Sequence, residues 1–170
     1  PTAGSCQGMY TANTMACLAE CMGMSLPYCA TASAVSSKKR RIAFESGMQI
    51  IDLVKNNICP QDIIDKNTLR NAIICDLAMG GSTNSFLHIL ALASAGGIDL
   101  TLKDFEELSH KIHQVVKLDP AAVPTMSDFH KAGGVPALLK TLIDANVGIK
   151  DKLTTSGLNI SQIANETYVD

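Results

Sequence analysis

A cysteine set between glycines lies near the start of the chain, in the run Gly4-Ser5-Cys6-Gln7-Gly8. Residues 11–22, which follow it, have an apolar pattern that predicts a helix. A thiolate just before a helix is favoured by the helix dipole and by free backbone N–H groups, as a metal ligand or a nucleophile requires. Cys6 is therefore the first candidate for chemistry, and an ordinary loop cysteine is the alternative.

The residues around Cys6 do not decide between these uses. A nucleophilic cysteine needs a base, and the sequence places none of the four histidines beside it. A complete metal site needs more ligands, and no Cys-x-x-Cys pair supplies them. Cys17, Cys21 and Cys75 fall in apolar helical patterns, which predicts buried free thiols in a reduced cytoplasmic protein rather than disulfides.

A second candidate is the run Gly80-Gly81-Ser82-Thr83-Asn84, at the start of a predicted helix. Glycines followed by hydroxyl groups at a helix start can hold a carboxylate or a phosphate. The run lacks the lysine of a nucleotide-binding P-loop and the spacing of a dinucleotide fingerprint, which argues against nucleotides. Ser82, Thr83 and Asn84 are thus candidate residues of a substrate or anion pocket, with helix capping by Ser82 or Thr83 as the simpler alternative.

The elements that must position these residues are predicted to be helices almost throughout. The helix over 85–95 is apolar on all sides, so we expect it to be buried and central. The helix over 37–56 is predicted to carry one apolar stripe, made of Ile42, Ala43, Gly47, Ile50, Ile51 and Val54. Thr101 and Asp104 resemble a capping box, and the helix after them is expected to bury Phe105, Leu108, Ile112 and Val115. The other predicted helices cover residues 11–22, 67–79, 127–131 and 135–146.

We therefore predict a mainly α fold in one unit over residues 1–170, with 152–170 as an edge segment. The 170 residues are 46% hydrophobic and 18% charged, which suits one compact domain. A net charge of −2 gives no reason to expect binding to nucleic acid. No apolar run approaches the roughly 18 residues of a membrane span, and the start lacks the features of a signal peptide. A cytoplasmic protein is expected, and its start at Pro1 rather than Met suggests a piece of a longer one.

The order of these segments resembles one family. Residues 1–15, PTAGSCQGMYTANTM, closely resemble the third-cysteine segment of the dihydroxy-acid dehydratases. Residues 23–27, 39–47, 80–84 and 132–136 resemble further segments of that family in the same order. The first segment is long and specific, whereas the double-glycine segments are weak on their own. The run over residues 8–14 favours the branched-chain amino-acid branch of the family over the 6-phosphogluconate branch.

The resemblance implies a function for a longer enzyme. It would convert 2,3-dihydroxy carboxylates to 2-oxo acids in valine and isoleucine biosynthesis, using an iron–sulfur cluster (2Fe–2S or 4Fe–4S) and Mg²⁺. Cys6 would be one of three cysteines that hold the cluster. The chain would be the later half of an α/β N-terminal domain with three layers, α/β/α, in an enzyme that forms a homodimer.

Several family segments are missing from the 170 residues. They are the first cluster cysteine, the Cys-Asp-Lys segment, and the β-rich C-terminal domain with its serine base. We therefore expect one cluster ligand, no catalytic residue, no stably bound cofactor and no activity from this chain alone. Two alternatives remain open: a non-catalytic interaction or assembly domain that kept the dehydratase fold, and a cysteine-dependent enzyme with Cys6 as nucleophile.

Overall fold

The computed structural model describes residues 6–168, which are mainly helical, as the sequence predicts. One isolated antiparallel bridge joins Leu153 to Asn159 within these residues. The nine helices of this part of the chain are α1 (Thr11–Cys21), α2 (Ser37–Lys55), α3 (Pro60–Ile63), α4 (Lys66–Met79), α5 (Asn84–Ala95), α6 (Leu102–Ser109), α7 (Met126–Lys131), α8 (Gly134–Asp144) and α9 (Ile160–Asn165).

Helix α4 is the centre of the core. Its N-terminus is capped by Asp65, whose carboxylate accepts a hydrogen bond of 2.8 Å from the backbone N–H of Thr68. It ends at Gly80, which has a left-handed backbone with φ +62°. Helices α1, α5 and α6 pack against it, and α8 joins them through α1. Most α4 side chains are therefore buried, among them Leu69 and Ile73.

Helix α6 begins with the predicted capping box, which is confirmed. The backbone N–H of Thr101 donates to Oδ2 of Asp104 at 3.0 Å. Phe105, Leu108 and Ile112 are buried as predicted, but Val115 is 53% exposed. The reason is that α6 ends at Ser109, so the helical spacing that placed Val115 on the buried face no longer applies there.

The expectation that the helix at residues 85–95 is buried and central is wrong. Only Ser85, Ile89 and Ala93 of α5 are buried, at a spacing of four residues that forms a single contact line. Leu87 is 70% exposed, and His88 is exposed rather than part of the core. The central position belongs to α4, so α5 is a surface helix with an apolar outer side.

The predicted apolar stripe of α2 is wrong for every member except Ile42. Ile50, Ile51 and Val54 are exposed, whereas Ile42 and Leu53 are the buried residues of this helix. Ile42 and Leu53 lie eleven residues apart, which places them on one line along the opposite side of the helix. Among residues 6–168, α2 has no other helix packed extensively against it.

A buried acid orders the turn that follows α1. The two carboxylate oxygens of Glu20 accept hydrogen bonds from the backbone N–H groups of Tyr28, at 2.7 Å, and Ala30, at 2.9 Å. Burial raises the pKa of Glu20 to about 7, although both N–H donors act to lower it. The turn contains a left-handed residue, Tyr28, with φ +67°.

The C-terminal part contains one isolated bridge and one short helix, α9. Leu153 pairs with Asn159, and α9 follows and packs against α8. The backbone N–H of Thr155 donates to the carbonyl of Gly23 at 2.7 Å, which ties this part to the end of α1. Within residues 6–168, no helix combines the length and the apolar character that crossing a bilayer requires.

Candidate functional site

The loop that carries Cys6 is held by its backbone and leaves the cysteine exposed. Asn13, in the first turns of α1, donates from its side-chain amide to the carbonyl of Cys6 at 2.8 Å and to that of Gly8 at 2.6 Å. Asn13 is itself buried, so its bond to Gly8 is shielded from water and its bond to Cys6 is partly shielded. These two hydrogen bonds therefore fix the loop to α1.

Two residues far along the chain also hold this loop in place. The backbone N–H of Met9 donates to the carbonyl of Asp119 at 2.7 Å, and the carbonyl of Gln7 accepts from the N–H of Met126 at 2.7 Å. Gly8 is required here, because a Cβ atom would lie 2.6 Å from both the carbonyl and the Oδ2 of Asp119. These contacts pre-organise the backbone on either side of Cys6.

The second candidate loop packs against the same end of α1. The Oγ1 atom of Thr14 accepts a hydrogen bond from the backbone N–H of Ser82 at 3.0 Å. The side-chain amide of Asn84 donates to Oγ1 of Thr11 at 2.8 Å, and the Oγ atoms of Thr11 and Ser82 lie 3.2 Å apart. The fold thus joins the Ser82–Asn84 loop to the first turn of the helix that Cys6 precedes.

The capping alternative for this loop holds only in part. Thr83 is the N-cap residue of α5 and makes no side-chain capping bond, whereas Oγ of Ser82 accepts from the N–H of Asn84 at 3.3 Å. The N–H groups of Gly81, Ser82 and Asn84 all bond to acceptors inside the protein. A ligand at this loop would therefore meet the exposed side chains of Thr83 and Asn84 rather than a cradle of free backbone amides.

A buried carboxyl group, Asp76, supports the loop from within the core and is only 3% exposed. Its Oδ2 accepts a hydrogen bond from Oγ of Ser85 at 2.5 Å, and its Oδ1 has no partner among the described residues. Burial raises the pKa of Asp76 to about 6, and the Ser85 hydroxyl opposes this rise. Gly81 packs so closely that a Cβ atom there would lie 2.0 Å from Oδ1. No local pattern in the sequence indicates this support.

Small-molecule sites usually occupy clefts of about 300–1,000 Å³. One of 600 Å³ opens between α1 and α5, beside Thr11. It is open and mostly apolar, and His88 contributes a polar side chain to it. Its lining residues are Thr11, Ala12, Met15, His88, Ala91 and Leu92.

Cys6 has the chemistry of one ligand to a metal or cluster, but not of a whole site. Its exposed side chain and fixed backbone suit a thiolate ligand that meets a bulky cofactor. Across residues 6–168, no three side chains of His, Cys, Asp or Glu come together as a metal site. Cys17, Cys21 and Cys75 are fully buried, and burial raises the pKa of Cys17 and Cys21 well above the usual thiol value. These thiols are therefore packing residues, as predicted.

The sequence identified the two loops but missed the residues that hold them. Asn13 lies within the predicted helix over 11–22, and an asparagine inside a helix often bonds to nearby backbone. Asp76 lies within an apolar helical pattern. An acidic residue at such a position was the only sequence signal for its role. Asp119 and Met126 are far away along the chain, so no local pattern pointed to them.

The family follows from these loops and from the whole sequence. The chain belongs to the dihydroxy-acid/6-phosphogluconate dehydratase family: residues 1–163 match the family model described as "Dihydroxy-acid/6-phosphogluconate dehydratase N-terminal". The resemblance inferred from the sequence is therefore confirmed.

Similar proteins in several organisms are named dihydroxy-acid dehydratase. The protein of Thermodesulfovibrio yellowstonii is 49% identical over 169 residues, which cover 99% of this chain and 30% of the relative. The protein of Endomicrobium trichonymphae is 48% identical over 169 residues, with the same coverage of 99% and 30%. That of Methanococcus aeolicus is 48% identical over 172 residues, covering 100% of this chain and 31% of the relative. The chain thus spans about 30% of the length of the curated relatives it matches.

Proposed function

We propose that this chain is the part of a dihydroxy-acid dehydratase that presents one cluster cysteine to the active site. The full-length enzyme would convert 2,3-dihydroxy carboxylates to 2-oxo acids and water in the synthesis of valine and isoleucine. The observation that carries the proposal is the exposed Cys6 on a loop held by Asn13, next to the Ser82–Asn84 loop. It is supported by 48–49% identity to relatives that carry this name.

In this proposal Cys6 binds the iron–sulfur cluster through its thiolate. An iron with an open position supplies a Lewis acid for a departing hydroxyl group. The role of the chain is to hold the thiolate in place, because Asn13, Asp119 and Met126 fix the backbone around it. The cluster would be of the 2Fe–2S or the 4Fe–4S type.

The Ser82–Asn84 loop would bind the substrate. The hydroxyl group of Thr83 and the amide of Asn84 are exposed and can donate hydrogen bonds to a carboxylate or to a substrate hydroxyl. Asp76 and Thr14 would position this loop from beneath. The Mg²⁺ ligands and the base that removes the C2 proton belong to family segments that these residues do not contain.

The remaining parts of the proposal concern the whole enzyme. We propose that the 170 residues do not turn over substrate alone, since they provide one cluster ligand of three. The chain would form the later half of the N-terminal domain, within a three-layer α/β/α arrangement. The enzyme would be a cytoplasmic homodimer that acts on a small molecule and binds neither nucleic acid nor membrane.

The ligand role of Cys6 is tested in the full-length enzyme, reconstituted anaerobically with iron and sulfide. Cys6→Ser is expected to lower the iron and sulfide content and to abolish turnover, because a serine oxygen replaces a thiolate. The matched control is Cys59→Ser, since Cys59 is also exposed and also free. Cluster content and turnover that remain at the wild-type level in Cys6→Ser would refute the ligand role.

The pocket role is tested by steady-state kinetics of Thr83→Ala and Asn84→Ala in the same enzyme. Loss of a hydrogen bond to a charged substrate group is expected to raise KM or lower kcat/KM by roughly tenfold or more. Ser94→Ala, at the far end of α5, is the control. Wild-type kinetic constants in both loop variants would remove these residues from the pocket while leaving Cys6 unaffected.

A further inference from the structure

A cleft of about 450 Å³ runs along one side of α2, away from the two candidate loops. Residues 26–28, in the turn after α1, form its opposite wall together with Ser156 and Leu158. The residues of α2 that line the cleft lie within an arc of about 100° around the helix. They are Lys38, Arg41, Ile42, Glu45 and Gln49. The volume suits a small molecule.

Two cations lie at one end of this cleft. They belong to the run Lys38-Lys39-Arg40-Arg41 in the first turns of α2, where cations oppose the helix dipole and weaken the helix. The Nζ atom of Lys38 lies 3.7 Å from the centroid of the Tyr28 ring. Within residues 6–168, neither Lys38 nor Arg41 forms an ion pair with a carboxylate. The guanidinium of Arg41 makes a long contact of 3.5 Å with the Ser37 hydroxyl, so most of its N–H donors are open to a ligand with negative charge.

One carboxylate lies further along the same wall of the cleft. Glu45 follows Arg41 by four residues, or about 6 Å along the helix. In the part of the chain that the structure describes, Glu45 has no cation within ion-pair distance. A simple anion would be repelled by Glu45, and a simple cation would be repelled by Lys38 and Arg41. A ligand that carries one group of each sign satisfies all three side chains.

The remaining lining of the cleft is largely apolar. Ile42 is 5% exposed and lies between the charged residues of α2, and three partly buried aliphatic side chains face it. These side chains are Leu26, Pro27 and Leu158. Gln49 lies at the other end, where a Cβ atom on Gly157 would come within 3.8 Å of its Nε2. An aliphatic group of the ligand would therefore be removed from water beside the charged groups.

We propose that this cleft binds a small α-amino acid with an apolar side chain. Lys38 and Arg41 hold its carboxylate, Glu45 holds its ammonium group, and the aliphatic wall covers its side chain. An α-amino acid carries both charges on one carbon atom, which matches the single helical turn between Arg41 and Glu45. The site uses neither Cys6 nor the Ser82–Asn84 loop, so it does not depend on the proposed function.

The first test is an NMR titration of the isotope-labelled 170-residue chain with L-norleucine. Saturable shifts are expected in the backbone amides of residues 26–28, 38–49 and 156–158. Hexanoate is the same molecule without the ammonium group, and pentylamine is the same molecule without the carboxylate. Each is expected to bind roughly tenfold more weakly, because it leaves one charge of the cleft without a partner. Norleucine that causes no saturable shift at these residues at about 10 mM, or hexanoate that binds as tightly as norleucine, would overturn the proposal.

The second test assigns the two charges of the ligand by neutral substitution. Arg41→Gln and Glu45→Gln are each expected to weaken norleucine binding roughly fivefold to tenfold. Glu45→Gln is also expected to strengthen hexanoate binding, because it removes a repulsion, and a general loss of structure would not affect the two ligands in opposite ways.

Two control variants make the same charge changes outside the cleft. Arg40→Gln lies on the far side of α2, and Glu106→Gln is exposed on α6, so both are expected to bind norleucine as the wild type does. Circular dichroism verifies that each variant is folded. Wild-type affinity in both Arg41→Gln and Glu45→Gln, or an equal loss in Arg40→Gln, would contradict the assignment.

Discussion

The first turns of α1 and the exposed side of α2 reverse the usual positions of polar and apolar side chains. In the first turns of α1, polar side chains such as Asn13 and Thr14 are buried and bonded to backbone, and they hold two loops in place. In α2, apolar side chains such as Phe44 and Val54 lie in solvent with no partner helix among residues 6–168. The polar groups of α1 find their partners within the same chain, whereas the exposed side of α2 is suited to contact with another surface.

This comparison shows why polarity alone does not identify the inside of this molecule. Buried polar groups are tolerated where each finds a hydrogen-bond partner, as Asn13 does. Exposed apolar groups of this extent are uncommon on a free monomer and mark a contact surface.

Replacing isoleucine with alanine should have very different effects on stability in the buried core and on the exposed side of α2. Ile73→Ala, in the fully buried centre of α4, is expected to lower the free energy of unfolding by about 2–5 kcal/mol, because it leaves a cavity. Ile51→Ala, on the exposed side of α2, is expected to change it by less than about 0.5 kcal/mol. Urea denaturation at low protein concentration measures both. Equal losses would show that α2 is packed within the monomer.

The acid that orders the turn after α1 should make stability depend on pH. The pKa of Glu20 rises on folding from its ordinary value of 4.5 to about 7. Between these values the unfolded chain has released a proton that the folded chain retains, so stability falls as pH rises through this range. The wild type should lose on the order of 3 kcal/mol more than Glu20→Gln between pH 4.5 and 8. Parallel pH curves for the two proteins would contradict the assignment.

Two asparagines allow the hydrogen bonds of the regions to be compared. Asn13→Ala removes one buried bond to the carbonyl of Gly8 and one partly buried bond to that of Cys6, and should cost about 1–3 kcal/mol. Asn56→Ala removes one exposed bond of 2.9 Å to the carbonyl of Asp52 at the end of α2, and should cost less than about 0.5 kcal/mol. Thermal unfolding followed by circular dichroism measures both. A larger loss in Asn56→Ala would reverse the comparison.

Adding a methyl group to a glycine should have opposite signs in the two regions. Gly81→Ala is expected to destabilise the protein by about 1–3 kcal/mol, because its Cβ would lie 2.0 Å from Oδ1 of Asp76. Gly47→Ala is expected to stabilise the dilute monomer by about 0.5–1 kcal/mol, since the space is open and alanine favours a helix. Chemical denaturation of both variants decides. A destabilised Gly47→Ala monomer would mean that α2 is already covered.

Local patterns predicted the elements well and their orientation poorly. The start of α1 at Thr11 and the capping box of Thr101 and Asp104 follow from nearby residues, and both are confirmed. Helix α5 contacts the core through a line that contains Ile89 and Ala93. Because most sides of this helix are apolar, its sequence does not show which side makes that contact. The exposure of α2 could not be predicted for the same reason, because the contacts that bury or expose a side lie elsewhere in the chain.

The candidate site divides in the same way. Cys6 and the Ser82–Asn84 loop stood out through glycines and helix starts, which are local signals. Asn13 was available as a polar residue within a helix, but its acceptors were not predictable from spacing. The roles of Asp76 and Asp119 arise from three-dimensional packing, and Cys6 gained its ligand assignment from the family resemblance rather than from its surroundings. The ligand and pocket roles remain predictions.

The backbone bond between Gln7 and Met126 also has a consequence for the order of events during synthesis. The ribosome adds Cys6 about 120 residues before Met126, whose backbone N–H helps to hold the loop. At typical ribosomal rates this is a delay of roughly ten seconds. During that time the loop lacks its final shape, and the thiol is accessible to oxidants or to free metal ions. Delivery of the cluster to this cysteine should therefore follow the completion of α7, after translation has passed this part of the chain.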